Sequence, residues 1–208
     1  MFYVLVLCDF SAKYDRVYND FLRGKKMSMV TVVFAHGRES GPWGAKFRVL
    51  AKVAEGFGCG VISRDDSDNR DPELRVARLI DEAKSIDGPI VLVGSSMGGY
   101  VTTVASQVIR PTGLFLMAPA LGLPGYECQS PQAIARELTI VHGWGDDLVP
   151  AEAVLEFARS QQAMLHLVPA GHALLEQLEW LEQIFTLFLQ RCLKPEQGSE
   201  QNRILSTM

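Results

Sequence analysis

Ile90-Val91-Leu92-Val93-Gly94-Ser95-Ser96-Met97-Gly98-Gly99-Tyr100-Val101 is the stretch that decides how this chain folds. Gly88-Pro89 stops the segment before it, and Ile90 to Val93 is an unbroken apolar run, the pattern of a strand buried on both faces. From Gly98 onward the spacing turns helical. The Gly94-x-Ser96-x-Gly98 pattern therefore falls on a strand-to-helix turn. A turn this tight strains the backbone at its central residue and admits only small residues two places to either side, a demand that Gly94 and Gly98 meet. It predicts a Ser96 hydroxyl standing above the sheet edge, placed to attack a carbonyl carbon.

Outward from this turn, strand and helix patterns alternate from Met29. Val30 to Ala35 reads as a strand, Trp43 to Phe57 as a helix and Gly60 to Ser63 as a short strand. Asp71-Pro72-Glu73 is a helix start, with Asp71 as cap and Pro72 in the first turn, and Leu74 to Ile86 continues at helical spacing. The helix after Ser96 runs to about Ile109, before Pro111. Leu114 to Met117, Leu138 to Val141 and Leu165 to Val168 read as further strands. Pro150 to Gln161 and Leu174 to Leu193 read as helices, the second ended by Lys194-Pro195. Ala118 to Arg136 is irregular. This alternation predicts an α/β fold, a mostly parallel sheet with helices on both faces. Ligands of such sheets sit at the carboxyl ends of strands, and His36, Ser96, Asp146 and His172 all follow strand ends.

The expected organisation is an N-terminal extension over residues 1–28, one α/β domain over 29–194 and a polar, disordered tail over 195–208. Within the extension, Phe2 to Leu7 reads as an edge strand and Lys13 to Leu22 as a short helix, unless translation starts at Met27 or Met29. The chain has 208 residues, 48% hydrophobic and 21% charged, ordinary values for one globular domain. A net charge of −4 without a long Lys or Arg run argues against nucleic acid as a partner. No apolar stretch reaches membrane-spanning length. Phe2 to Cys8 is too short for a typical secretory core and lacks a basic leader, so no signal peptide is expected. Cys8, Cys59, Cys128 and Cys192 form no C-x-x-C pair and read as reduced thiols of a cytoplasmic protein. Arg64 to Asp71 is densely charged but lacks the glycine and terminal glutamate of a calcium loop, and it reads as a solvated loop. Neither a metal nor an organic cofactor is expected.

The chain resembles a small member of the α/β-hydrolase family. The resemblance rests on His36-Gly37-Arg38, on Gly94-Ser95-Ser96-Met97-Gly98, on His142-Gly143-Trp144-Gly145-Asp146-Asp147-Leu148-Val149-Pro150, and on Gly171-His172. It covers roughly Met29 to Leu193. It implies the α/β-hydrolase fold, a nucleophile elbow, and a catalytic triad in the chain order serine, acid, histidine. Ser96 is then the nucleophile and His172 the general base. The family's spacing ahead of Val149-Pro150 selects Asp146 as the acid, with Asp147 as the competing candidate. The resemblance also assigns the oxyanion hole to the backbone N–H groups of Arg38 and Met97, with Gly37, Gly94 and Gly98 as motif glycines. His142 suits a supporting role and His166 a structural one, while the Ser95 hydroxyl is expected to bond locally. Arg38 and Glu39 either pair on the surface or meet a polar substrate group, and Trp43 lies either at the pocket rim or in the core.

About twenty residues, Ala118 to Arg136, occupy the place where such enzymes carry a lid, too few for a multi-helix lid. A minimal lid implies a shallow, open acyl site. Leu121, Leu123, Pro124 and Tyr126 either wall that site or pack on the body. The function this implies is a serine hydrolase, an esterase that cleaves small or accessible carboxylic esters through an acyl-enzyme, with a small-molecule ester or thioester as substrate. Thioester hydrolysis, including protein S-acyl groups, is the alternative. A non-catalytic binding protein of the same fold is the contrasting class.

Overall fold

Six short apolar runs become strands because helices cover them on both sides. The computed structural model describes residues 29–194, and the expectations for 1–28 and 195–208 lie outside the described residues. The strands are β1 (Thr31–Ala35), β2 (Gly60–Ser63), β3 (Ile90–Ser95), β4 (Gly113–Met117), β5 (Glu137–Gly143) and β6 (Met164–Val168). Between and after them come α1 (Ala45–Gly56), α2 (Pro72–Ala83), α3 (Met97–Ile109), α4 (Ala151–Ser160) and α5 (Leu178–Cys192). The sheet order is β2-β1-β3-β4-β5-β6 and every pairing is parallel. The order reverses at β1, so the crevice between the carboxyl ends of β1 and β3 is the switch point where ligands of such sheets bind.

Period-two alternation splits the core into two layers. Val32, Phe34, Val91, Val93, Phe115 and Val141 face α1 and α5. Val33, Leu92, Leu114, Leu116 and Ile140 face α2, α3 and α4. In the first layer Phe115 packs against Phe185 and Phe188 with ring centroids 5.1 and 5.2 Å apart. In the second, α2 starts as its sequence predicts, with Asp71 Oδ1 accepting from the N–H groups of Glu73 and Leu74 at 2.9 and 3.3 Å.

Two expectations change and one open alternative closes. The last helix begins at Leu178, not Leu174. Leu174 is fully buried with φ of 55° and a 3₁₀ turn follows over Leu175–Gln177, so its apolar side chain plugs the core from a turn rather than from a helix. The Arg64 to Asp71 loop is not simply solvated. Asp66 is 3% exposed and receives Arg64 through two hydrogen bonds of 3.2 Å, with Arg78 at 3.4 Å. Residues 118–136 contain no helix or strand, as expected, and Leu121, Leu123 and Tyr126 pack on the body, whereas Pro124 is exposed. Leu121 is buried in the second layer, where Leu123 also packs. Tyr126 meets Tyr100 edge-on at 4.6 Å. The Tyr100 hydroxyl donates to Glu73 at 2.6 Å and accepts from the Cys128 N–H at 3.1 Å, tying the segment to α2 and α3.

Candidate active site

Ser96 sits between β3 and α3 with φ of 55° and ψ of −121°, a conformation that non-glycine residues rarely adopt. Close packing enforces it. A Cβ at Gly94 would lie 2.3 Å from Thr102 Oγ1, and one at Gly98 would lie 1.8 Å from the Ala35 carbonyl oxygen. Only glycine lets β3 turn directly into α3 against the end of β1. The strained residue is anchored on its own backbone, with the Ser96 N–H donating to Met117 O at 3.0 Å and its carbonyl accepting from Ala120 N at 3.0 Å.

The structure brings Ser96, His172 and Asp146 into one hydrogen-bonded row. Asp146 follows β5, and its side chain is fully buried. Its Oδ1 accepts from the N–H groups of Leu148 and Val149, both at 2.9 Å, which fixes the plane of the carboxylate. Oδ2 lies 2.8 Å from His172 Nδ1. An ionised carboxylate only accepts, so Nδ1 carries the proton and Nε2 is free to accept from the Ser96 hydroxyl at 2.9 Å. Asp147 is exposed and makes no such contact. The His172 loop is held in place by the Gly145 N–H, which donates to Ala170 O at 3.0 Å. The His172 side chain remains 19% exposed, so a reactant can reach it.

The other histidines do not hydrogen-bond to the row. His36 turns away from the row: its Nδ1–H donates to Gly37 O at 2.7 Å, and its Nε2 accepts from the Asp66 N–H at 3.0 Å. His142 is fully buried, donates from Nε2 to Val149 O at 3.0 Å and lies 3.6 Å from Asp146. Burial pulls its pKa down against the pull of Asp146, which makes it a neutral wall behind the carboxylate rather than an ionic partner. Burial likewise lowers His166 on β6, with Arg191 adding to the shift.

Two backbone N–H groups near the serine turn are unpaired by protein among the described residues, that of Met97, which follows Ser96, and that of Arg38, which follows Gly37. Met97 opens α3, so its N–H has no intrahelical partner. The Arg38 N–H donates to no protein acceptor among the described residues. The Arg38 side chain pairs with exposed Glu39 at 3.8 Å, which in turn meets Arg70 at 3.2 Å, a surface arrangement. Trp43 is 44% exposed rather than in the core, and Trp144 and Leu148 of the Asp146 loop are 62% exposed each.

Sequence reading missed two cations. Lys46, at the start of α1, donates to Ser95 Oγ at 3.0 Å. Burial pulls its ammonium down to about 8, and the charge of Asp146 opposes that shift. Arg75 on α2 is 2% exposed. Its spacing ahead of Leu79 put a charge on the apolar stripe of α2, the one signal that marked it in the sequence.

The alpha/beta hydrolase family model matches residues 32–197. No curated protein matches the chain. Among solved structures, a Xanthomonas campestris pv. campestris protein assigned to the α/β hydrolase superfamily shares 34% identity, with a TM-score of 0.73, over 77% of this chain and 98% of its own. A lidless α/β serine hydrolase from Xanthomonas campestris shares 19% identity and a TM-score of 0.62, over 82% of this chain and 86% of its own. Est1E of Butyrivibrio proteoclasticus, solved with ferulic acid, shares 17% identity and a TM-score of 0.65, over 82% and 92%. The last two show likeness of fold. Parallel sheet, strained serine turn and family match agree: the chain belongs to the alpha/beta hydrolase family.

Proposed function

We propose that the protein is a serine esterase that cleaves small or accessible carboxylic esters through an acyl-enzyme intermediate. The observation that carries this reading is the row from Ser96 Oγ through His172 to Asp146, with spacings of 2.9 and 2.8 Å. Ser96 Oγ bonds to the ester carbonyl carbon while its proton passes to His172 Nε2. Asp146 holds the imidazole in the required tautomer and stabilises the imidazolium that forms. The carbonyl oxygen becomes an oxyanion, which the N–H groups of Arg38 and Met97 receive. As the tetrahedral intermediate collapses, the ester C–O bond breaks and the leaving alkoxide takes the proton from Nε2. Water then repeats the sequence on the acyl-enzyme, giving its proton to His172 and releasing the acid and Ser96.

The absence of a lid helix between β4 and β5 supports an accessible ester over one that must be enclosed. The Asp146 loop and the segment before α1 carry exposed apolar side chains, Trp144, Leu148 and Trp43. A matched series of acyl esters and thioesters tests the reading. Wild type is expected to turn over the esters, with activity lost in Ser96→Ala. Ester turnover that survives Ser96→Ala would overturn it, and a consistent preference for the thioester partners would move the assignment to thioester hydrolysis.

A further inference from the structure

The loop that carries the Arg38 N–H is held from behind by a buried cation. Arg75 is the largest fully buried side chain among the described residues. Its hydrogen bonds all end on backbone carbonyls: Nε on Asn69 at 2.6 Å, Nη2 on Asp66 at 2.8 Å, and Nη1 on both His36 and Gly37 at 3.3 Å. The buried carboxylate nearby, Asp66, is itself taken by Arg64 and Arg78. Burying a guanidinium whose hydrogen bonds all go to carbonyls is costly even with the charges of Asp66 and Asp68 offsetting part of the burial, and an apolar side chain of similar volume would serve a merely structural purpose at this place in α2 better. The loop carbonyls are what the charge grips.

The geometry of one peptide unit gives that grip a consequence. The carbonyl of Gly37 and the N–H of Arg38 belong to the same peptide. That peptide is trans and planar, so the two groups point in opposite directions. Gly37 O accepts from Arg75 Nη1 and from His36 Nδ1, two donors on one oxygen. Together they fix the plane of the unit and direct the Arg38 N–H away from α2. The same unit runs beside the serine, because a Cβ at Gly37 would lie 3.2 Å from Ser96 Cβ. A cation bonded to the carbonyl also polarises the peptide, which strengthens its N–H as a donor.

We propose that Arg75 is a positioning residue for the oxyanion site, holding and polarising the Gly37–Arg38 peptide so that the Arg38 N–H meets the oxyanion. The proposal rests on the reading of Ser96 as nucleophile. The Arg64 to Asp71 loop belongs to the same device, since Asp66 O and Asn69 O complete the Arg75 cradle and the Asp66 N–H fixes His36. Such a residue acts on the charged transition state more than on the bound ester, so its loss lowers kcat and leaves KM nearly unchanged.

Arg75→Met removes the charge, and Arg75→Lys keeps it while losing the forked reach. Rates are counted per serine titrated to completion with a fluorophosphonate, so partial unfolding does not enter. The expected result is a kcat lower by about 10²-fold in Arg75→Met, a smaller loss in Arg75→Lys, and KM close to wild type. Affinity for a boronic acid that mimics the tetrahedral intermediate falls in step with kcat. Wild-type kcat per titrated serine in either variant overturns the proposal, as does a loss confined to KM. If Ser96→Ala is as active as wild type, the esterase reading fails instead, and the two failures are distinguishable. Should Arg75→Met yield no soluble protein, Arg75→Lys decides by the same criteria.

Discussion

Ser96 was legible in the sequence because its chemistry is written into small neighbours: only a turn this tight needs glycine at both Gly94 and Gly98, and packing distances of 2.3 and 1.8 Å account for that need. The residues around the serine turn carry unequal signals. His172 and Asp146 lie in loops whose pattern the family shares, whereas Arg75 and Lys46 look like ordinary helix residues until burial is known. Asp146→Asn presents an amide where His172 needs an acceptor, so kcat is expected to fall by ~10⁴, against little change for exposed Asp147→Asn. Steady-state kinetics on one ester checks both, and equal losses would contradict the assignment of the acid. Lys46 yields a separate prediction on stability. Its pKa is about 8 in the fold against 10.5 as the ordinary value, so the folded state holds this proton less tightly. Between those values the unfolded chain binds more protons, and the contribution of this group makes stability rise with pH. The full penalty applies below about pH 8. Lys46→Met removes it, so the variant gains on wild type most at neutral pH, by ~3 kcal/mol relative to pH 10.5. Urea unfolding of both proteins across that range measures the difference, and a pH-independent difference would contradict it.

The elements of the fold follow from local rules wherever burial and capping agree. Asp71 and Pro72 start α2 where capping predicts, and the two faces of β1, β3 and β4 each find a helical layer. The rules fall short where tertiary packing uses an apolar residue outside a helix. Leu174 has the spacing of a helix residue, yet it sits in a left-handed turn because the loop after His172 must place the imidazole before α5 begins. The Arg64 to Asp71 loop misleads at one residue: most of it is exposed, as its composition reads, but pairing with Arg64 and Arg78 neutralises Asp66 enough to bury it. Glycines offer a direct test of element contacts. Gly98→Ala forces a methyl against the Ala35 carbonyl and pushes α3 from the end of β1, with an expected loss of about 3 kcal/mol or more. Gly56→Ala, at the end of α1 with nothing within 4 Å, is expected to stabilise by about 0.5–1 kcal/mol. Denaturant midpoints read both, and a Gly98→Ala protein as stable as wild type would contradict the packing described for the turn.

On the scale of the whole molecule, the order β2-β1-β3-β4-β5-β6 is what gathers the site. Parallel pairing sends every strand's carboxyl end to one edge, so loops after β3, β5 and β6 bring together residues separated by 76 and 26 positions in the chain. With the segment between β4 and β5 strapped to α2 and α3, no helix among the described residues is left to close over that edge. Ester hydrolysis is therefore expected to saturate smoothly with substrate, with no step in rate as a sparingly soluble ester passes its solubility limit. A sharp rise at that limit, seen in initial rates, would reveal a closing element absent from this account. The site depends on convergence at the strand ends, and a fluorophosphonate followed by peptide mapping reads that convergence. The predicted result is one adduct per wild-type chain, on Ser96, and none in Ser96→Ala. Its formation is slowed severely in His172→Ala. Labelling at another residue, or labelling of Ser96 at an unchanged rate without His172, would contradict the account.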